Sequence, residues 1–240
     1  NLSVPNLSMD ILENLKECLE SGWVSTGGRF IPEFEGKVIK YMKTKYAAGV
    51  QSGTAGLHMS LQVLGVQRDE EVIAPTLTFI AAVNPITYLG ANPVFIDCDD
   101  SLCMDPIKLE KFCSEECDFK EGILVNKKTN KKIKALVIVH VFGNMADMEK
   151  IMDIGKKYNL RVLEDATEAL GTYYTEGRYK GKYAGTIGDI GVLSFNANKI
   201  ITTGGGGMVV GDNEELVEKV RFLSSQAKKD TLYFIHDEIG

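Results

Sequence analysis

Histidine is scarce in this chain, three residues in 240, and the five cysteines (Cys18, Cys98, Cys103, Cys113 and Cys117) are odd in number and hold no C-x-x-C pair. Cys113 and Cys117 could share one helix face, but no histidine stands near them to complete a zinc set, so no metal site is expected. Free thiols of a reducing compartment are the simpler reading. No apolar run approaches the roughly 20 residues that span a bilayer, and no signal peptide opens the sequence. The expectation is a cytoplasmic protein, off the membrane. Basic charge is also short: 27 Lys and Arg stand against 33 Asp and Glu, a formal net charge of -6. That balance argues against a nucleic-acid binder, whose footprint is basic. The small run Lys127-Lys128 and Lys131-Lys132 flanks Thr129-Asn130 and reads as a solvated hairpin tip. There is no Walker-type phosphate loop, no internal repeat and no low-complexity segment.

What remains is an ordinary soluble composition, 44% hydrophobic and 25% charged, in a chain long enough to bury one large core. Ser8 caps a first helix in which Ile11, Leu12, Leu15, Cys18 and Leu19 recur at helical spacing, with Gly22 as its stop. Phe34, Val38, Tyr41 and Met42 give a second helix over 32–43. Strands and helices then alternate: strand 46–50, helix 54–64, strand 71–74, helix 79–89, strand 93–97 and helix 107–113. Residues 118–132 are polar and lysine-rich, an excursion at the surface. The run 135–141, apolar except for His140, reads as a strand buried on both faces. His140 itself is expected to be a satisfied core residue. A helix over 145–158, strands at 161–164, 191–195 and 208–210, and a helix over 214–224 complete the order. Such alternation predicts an α/β fold, a mostly parallel central sheet flanked by helices, in one large domain over 1–240 that includes an N-terminal helical segment.

In sheets of this kind ligands bind beyond the carboxyl ends of the strands, and the residues with chemistry to offer fall there. Lys199 lies between the strand at 191–195 and the run Gly204-Gly-Gly-Gly207. A lysine held at a strand end and partly desolvated loses some of its preference for the ammonium form and can condense with a carbonyl. The glycines let backbone approach a bound group closely. A Schiff-base lysine suggests pyridoxal phosphate (PLP), which also needs a phosphate cradle, a carboxylate for the pyridine nitrogen and a surface against the ring. Gln51-Ser-Gly-Thr-Ala-Gly56 opens a helix, where free amides favour phosphate. Asp165 ends the strand at 161–164; Glu164 faces the other side by strand alternation and reads as structural. Phe79, just after the strand at 71–74, offers the ring surface. Each feature alone has a plain alternative: a solvent-facing lysine before a turn, a helix cap, a core phenylalanine.

Taken in order, Gly22-Trp-Val-Ser-Thr-Gly-Gly28, Ser52-Gly-Thr-Ala55, Ala74-Pro-Thr-Leu-Thr-Phe79, Val94-Phe-Ile-Asp97, Glu164-Asp-Ala-Thr-Glu-Ala-Leu-Gly171 and Ser194-Phe-Asn-Ala-Asn-Lys199 resemble the DegT/DnrJ-type sugar aminotransferases. These are PLP enzymes of fold type I, the aspartate-aminotransferase fold, and the likeness runs along nearly the whole chain. It implies that the chain is the large PLP-binding domain of such a transferase. Lys199 is then the catalytic lysine, bonded to PLP and moving protons. Asp165 meets the pyridine nitrogen and Phe79 stacks on the ring. The amides of Thr54 and Ala55, with the Ser194 hydroxyl, hold the phosphate. Glu168 falls near the ring hydroxyl, where the family more often has Gln or His, and Ser25 and Thr26 lie near the sugar. The implied reaction moves an amino group from an amino acid, glutamate, to a 4-keto-6-deoxy nucleotide sugar, UDP-linked, in surface-polysaccharide or glycoconjugate biosynthesis. Relatives that dehydrate such sugars carry histidine in place of the lysine, and the retained Lys199 disfavours that branch; a PLP-fold dehydratase and a non-catalytic sugar-nucleotide sensor stand as the alternatives. The family's enzymes are homodimers with a small C-terminal domain beyond the point matching Gly240, so that domain is expected to be absent here.

Overall fold

In the computed structural model, which describes residues 5–25, 27–230, 233, 235, 236 and 238–240, two helices lead into the sheet. Helix α1 (Ile11–Ser21) stops at Gly22, whose φ of 73° lies in the left-handed region that glycine enters without strain. Its start differs from the expectation: Asp10 occupies the capping position, and the Ser8 hydroxyl accepts from the Asp10 amide at 3.3 Å. Helix α2 (Phe30–Met42) buries Glu35, Val38 and Met42. Glu35 is buried because donors surround it. It accepts from the Gly49 amide at 2.8 Å and from Arg221 Nη1 at 2.8 and 3.0 Å, and Arg221 Nη2 donates to the Ala47 carbonyl at 2.6 Å. This pair pins α2 to strand β1 (Tyr46–Val50) and to the last helix, α7 (Glu214–Ser224).

Between those elements run α3 (Gly53–Val63), β2 (Glu71–Pro75), α4 (Asn84–Tyr88), β3 (Asn92–Ile96), α5 (Pro106–Lys111), β4 (Cys117–Lys120), β5 (Ile123–Asn126), β6 (Lys132–Val139), α6 (Met148–Lys157), β7 (Arg161–Asp165), β8 (Ile190–Ser194) and β9 (Gly207–Gly211). The strand order is β1-β9-β8-β7-β6-β2-β3. From β8 to β3 all neighbours are parallel, whereas β9 is antiparallel to both β8 and β1. The sheet is therefore mostly parallel, as the alternation predicts, and β1 runs in the same sense as β8. Both faces are covered. Val192 and Val209 point into one apolar cluster with Leu57, Leu61 and Val217, while Leu193, Met208 and Val210 point into another with Val38, Met42 and Phe195.

Three local differences have clear causes. The helix expected over 79–89 is split into a 3-10 turn (Ile80–Ala82) and α4, because Pro85 fits the first turn of a helix but not its interior. The helix expected over 107–113 ends as α5 at Lys111 and passes into a π turn, Phe112–Glu116. The polar excursion at 118–132 contains two strands, β4 and β5, and β5 joins the start of β6 through the pair Leu124↔Ile133. Its lysine-rich tip at 127–131 connects β5 to β6. Among the described residues no helix is long and apolar enough to cross a membrane.

Candidate functional site

The carboxyl ends of β1, β2, β6, β7 and β8 open on one edge of the sheet. They deliver the start of α3, Phe79, the turn at Val141–Gly143, the segment Asp165–Glu168, and the segment Ser194–Lys199 respectively. The structure brings most of the expected site residues together. Lys199 Nζ lies 3.2 Å from Glu168 Oε1, with the two side chains 15% and 33% exposed. Lys199 also bears on Asp165 electrostatically, drawing its proton affinity down.

Asp165 and Glu164 show what strand alternation does to two adjacent carboxylates. Glu164 is fully buried and accepts four hydrogen bonds: from His140 Nε2 at 2.9 Å and from the amides of Gly185, Ile187 and Gly188 at 2.9, 2.6 and 2.5 Å. His140 Nδ1 accepts from the Ala146 amide at 3.2 Å, so the ring proton is on Nε2 and points at Glu164. Burial would raise the Glu164 carboxyl, but the His140 bond and the amides of Gly185 and Gly188 outweigh it and hold the carboxyl below the ordinary range. His140 is thus a satisfied core residue, and Glu164 shapes the loop at 185–188.

Asp165, on the opposite face, is 5% exposed, and its Oδ1 accepts from the Thr167 amide at 3.1 Å. The Thr167 side chain bonds the same carboxyl. Burial pushes this carboxyl up, and Thr167, His140 and Lys199 only partly offset that. A buried carboxylate held up by burial suits a cationic N–H donor, which is what a protonated pyridine nitrogen presents.

The expected phosphate cradle is built by close approach. A Cβ on Gly207 would stand 2.6 Å from the Ser52 carbonyl carbon and 2.7 Å from the Gly53 nitrogen, so only glycine lets β9 lie against the start of α3. Gly53 in turn faces Ser194 and Thr167, each 3.0 Å from where its Cβ would be. The Ser194 hydroxyl therefore borders the helix start, where the Gly53 and Thr54 amides precede any intrahelical acceptor. The Ala55 amide is engaged here by the Ser52 hydroxyl at 3.0 Å, so on this geometry it would exchange a serine oxygen for a phosphate oxygen. Ser52 and Thr167, which carry no distinctive motif signal of their own, also border this edge beside Gly53 and Asp165.

Phe79 is 72% exposed at the end of β2 and lies two strands from β7, free to offer its face. Ser25 is exposed in a turn closed by the Gly28 amide donating to its carbonyl at 3.0 Å; no bond among the described residues ties it to Lys199. Thr26 lies outside the described residues. Beside Lys199 a cleft of about 550 Å³ is lined by Leu7, Ile11, Asn198, Ile200 and Ile201. The sequence also gave no sign of Phe142, whose amide donates to Glu168 Oε2 at 3.1 Å. Phe142 has a φ of 54°, a left-handed conformation that costs a non-glycine residue roughly 1 kcal/mol or more.

An α/β domain with an amine, a buried carboxylate and an anion-binding helix start on one sheet edge defines the large domain of a fold type I PLP protein. The profile of the DegT/DnrJ/EryC1/StrS aminotransferase family matches residues 5–240, and the chain belongs to that family. The chain is similar to the GDP-perosamine synthase of Escherichia coli O157:H7, 40% identical over 236 residues that cover 98% of this chain and 59% of that protein. It is similar also to EpsN of Bacillus subtilis strain 168, provisionally named a pyridoxal phosphate-dependent aminotransferase, at 39% identity over 100% of this chain and 58% of that one. Among solved structures, an aminotransferase from Psychrobacter cryohalolentis superimposes with a TM-score of 0.84 at 30% identity, covering 99% of this chain and 58% of its own. The chain thus spans under two thirds of the length of the relatives it matches. The family's cofactor is PLP, and the cradle, Asp165 and Lys199 fit it.

One consequence concerns Asp165. Its folded-state pKa is raised, so its ionised form costs folding free energy, and that cost is fully present above the raised value. Cofactor-free Asp165→Asn protein is expected to melt higher than wild type at pH 7. The gap should close as pH falls below the carboxylate range, where the wild-type group is neutral too. Calorimetry across pH checks both the higher melting point and the closing gap.

Proposed function

We propose that the protein is a PLP-dependent aminotransferase that moves an amino group from an amino acid, glutamate, to a nucleotide-linked 4-keto-6-deoxy sugar. The observation that carries this reading is the Lys199 amine, largely enclosed beside Asp165 and Glu168 on the sheet edge that also holds the phosphate cradle. Bound PLP supplies an electron sink for the charge left when a proton leaves the carbon bearing nitrogen. The chain supplies the rest. Lys199 would be the amine that holds the cofactor and would hold and return the proton at that carbon. Asp165 would face the pyridine nitrogen and keep it protonated. The amides of Gly53, Thr54 and Ala55 with the Ser194 hydroxyl would hold the phosphate, and Phe79 would limit the ring's freedom on its face.

The GDP-perosamine synthases among the relatives favour a GDP-linked sugar over the UDP-linked one implied by the family resemblance. Retention of lysine, and not histidine, favours transfer over dehydration, and an intact amine–carboxylate set favours catalysis over sensing. Assembly as a homodimer is part of this reading: α1 buries none of its residues, Leu12, Leu15 and Leu19 are exposed along it, and its first residue, Ile11, lines the Lys199 cleft. Free cysteines and a nucleotide-linked substrate agree with work in the cytoplasm. The test is PLP-loaded full-length protein given ¹⁵N-glutamate and a GDP- or UDP-linked 4-keto-6-deoxy hexose. Label in the sugar product, with GDP preferred, is the expected result. A product that has lost a further ring hydroxyl without gaining nitrogen, or ligand binding with no nitrogen transfer, would sink it.

A further inference from the structure

The residue at position 168 accepts two hydrogen bonds at once, and both partners can only donate. Lys199 Nζ gives to Oε1 at 3.2 Å and the Phe142 amide gives to Oε2 at 3.1 Å. A carboxylate meets both; an amide side chain has one acceptor oxygen and would turn its NH₂ against one of the two donors. The Phe142 side of this bridge is unusual. Its backbone is left-handed, and the turn around it is tied down: the Gly143 amide donates to the His140 carbonyl at 3.2 Å, the Asn144 amide to the Val141 carbonyl at 2.9 Å, and the Thr172 hydroxyl to the Gly143 carbonyl at 2.9 Å. Structure spent on a strained residue points to a use for its side chain. That side chain is an aromatic ring, 73% exposed, on the edge that carries the reactive amine. Its own amide is one carboxylate away from Lys199 Nζ.

We propose that Phe142 recognises the 6-deoxy end of the sugar, its ring forming an apolar wall for the C6 methyl, and that Glu168 is the positioning residue that sets this wall against the Lys199 amine. A 6-deoxy hexose differs from its parent by replacing a hydroxymethyl with a methyl, the one strongly apolar corner of an otherwise hydroxylated ring. An exposed phenyl face is matched to that corner and offers nothing to a 6-hydroxyl. The inference rests on the aminotransferase reading, which has its own test in nitrogen transfer. Substrate preference and backbone protection can be read separately from it.

The experiment measures calorimetric binding of a GDP-linked 6-deoxyhexose and of the matching GDP-linked hexose to PLP-loaded full-length protein. Wild type is expected to favour the 6-deoxy ligand by about tenfold or more, the discrimination a single apolar contact provides. Phe142→Ala should bring the ratio to about one while binding the hexose as before, and Phe142→Tyr should restore most of it. In Glu168→Gln, amide exchange at Phe142 should quicken and the ratio should fall, with the borohydride-fixed adduct at Lys199 still formed. Three results would overturn the proposal: a ratio unchanged in Phe142→Ala, amide protection at Phe142 unchanged in Glu168→Gln, or a Phe142→Ala effect confined to dimer dissociation in sedimentation.

Discussion

With Lys199 replaced by alanine, the PLP-loaded protein is expected to bind cofactor yet show no borohydride-fixed adduct, and kcat should fall by about 10³–10⁴, the upper range for a lost proton-transfer group. The geometry predicts both parts. Lys199 Nζ stands largely enclosed beside Glu168 and within the field of Asp165, and no other lysine is placed there by a bond among the described residues. Binding without the covalent link should survive because the cradle at α3, Ser194 and Asp165 do not depend on the amine. Stability should survive too. The pair with Glu168 is partly exposed, and such pairs contribute about 0–1 kcal/mol. The measurements are mass spectrometry after borohydride reduction, cofactor absorbance after dialysis, and the melting temperature of the cofactor-free protein. A covalent adduct that persists in Lys199→Ala would place the reactive amine elsewhere and remove the basis of the proposed function.

Much of this site is legible in the sequence, for a physical reason. The alternating elements announce a parallel sheet, and a parallel sheet presents ligands at its carboxyl edge, so residues just past each apolar run become candidates at once. Asp165 could be separated from Glu164 because side chains on a strand alternate faces, and the structure shows the two carboxylates in opposite situations. What could not be read depends on partners distant in sequence. The conformation of Phe142 is held through a carboxylate 26 residues away, and a phenylalanine gives no local sign of a left-handed backbone. Strand β5 hides in a polar stretch because Asn126 turns inward to donate to Glu71 Oε2 at 2.9 Å, a contact spanning 55 residues. The engagement of the Ala55 amide by Ser52 was available as an ordinary cap, but composition cannot say whether a cap or a phosphate holds an amide first.

The same division of labour makes Glu164 the residue whose neutralisation should harm the fold most. Glu164→Gln keeps the volume but replaces four acceptor positions with two, and turns an NH₂ toward donors that are already committed: His140 Nε2 and the amides of Gly185, Ile187 and Gly188. At complete burial those donors have no water to turn to, and each one left unsatisfied costs about 1–3 kcal/mol. The loss should depend on pH in a definite direction. The folded-state pKa of Glu164 lies below its unfolded value, so its contribution is fully present above the ordinary carboxyl range and is lost as pH falls through the lower, folded value. Urea titrations of the two proteins should therefore differ widely at pH 7 and converge in acid. Equal midpoints at pH 7, or a gap that widens in acid, would contradict the assignment. The damage should reach the site as well. Glu164 fastens the loop at 185–188 that leads into β8, and His140 closes β6 against β7, so loosening either one shifts the strand ends that carry Asp165, Ser194 and Lys199. A variant that regains wild-type stability at high osmolyte concentration but not wild-type transfer would show that this carboxylate aligns the edge as well as holding it together.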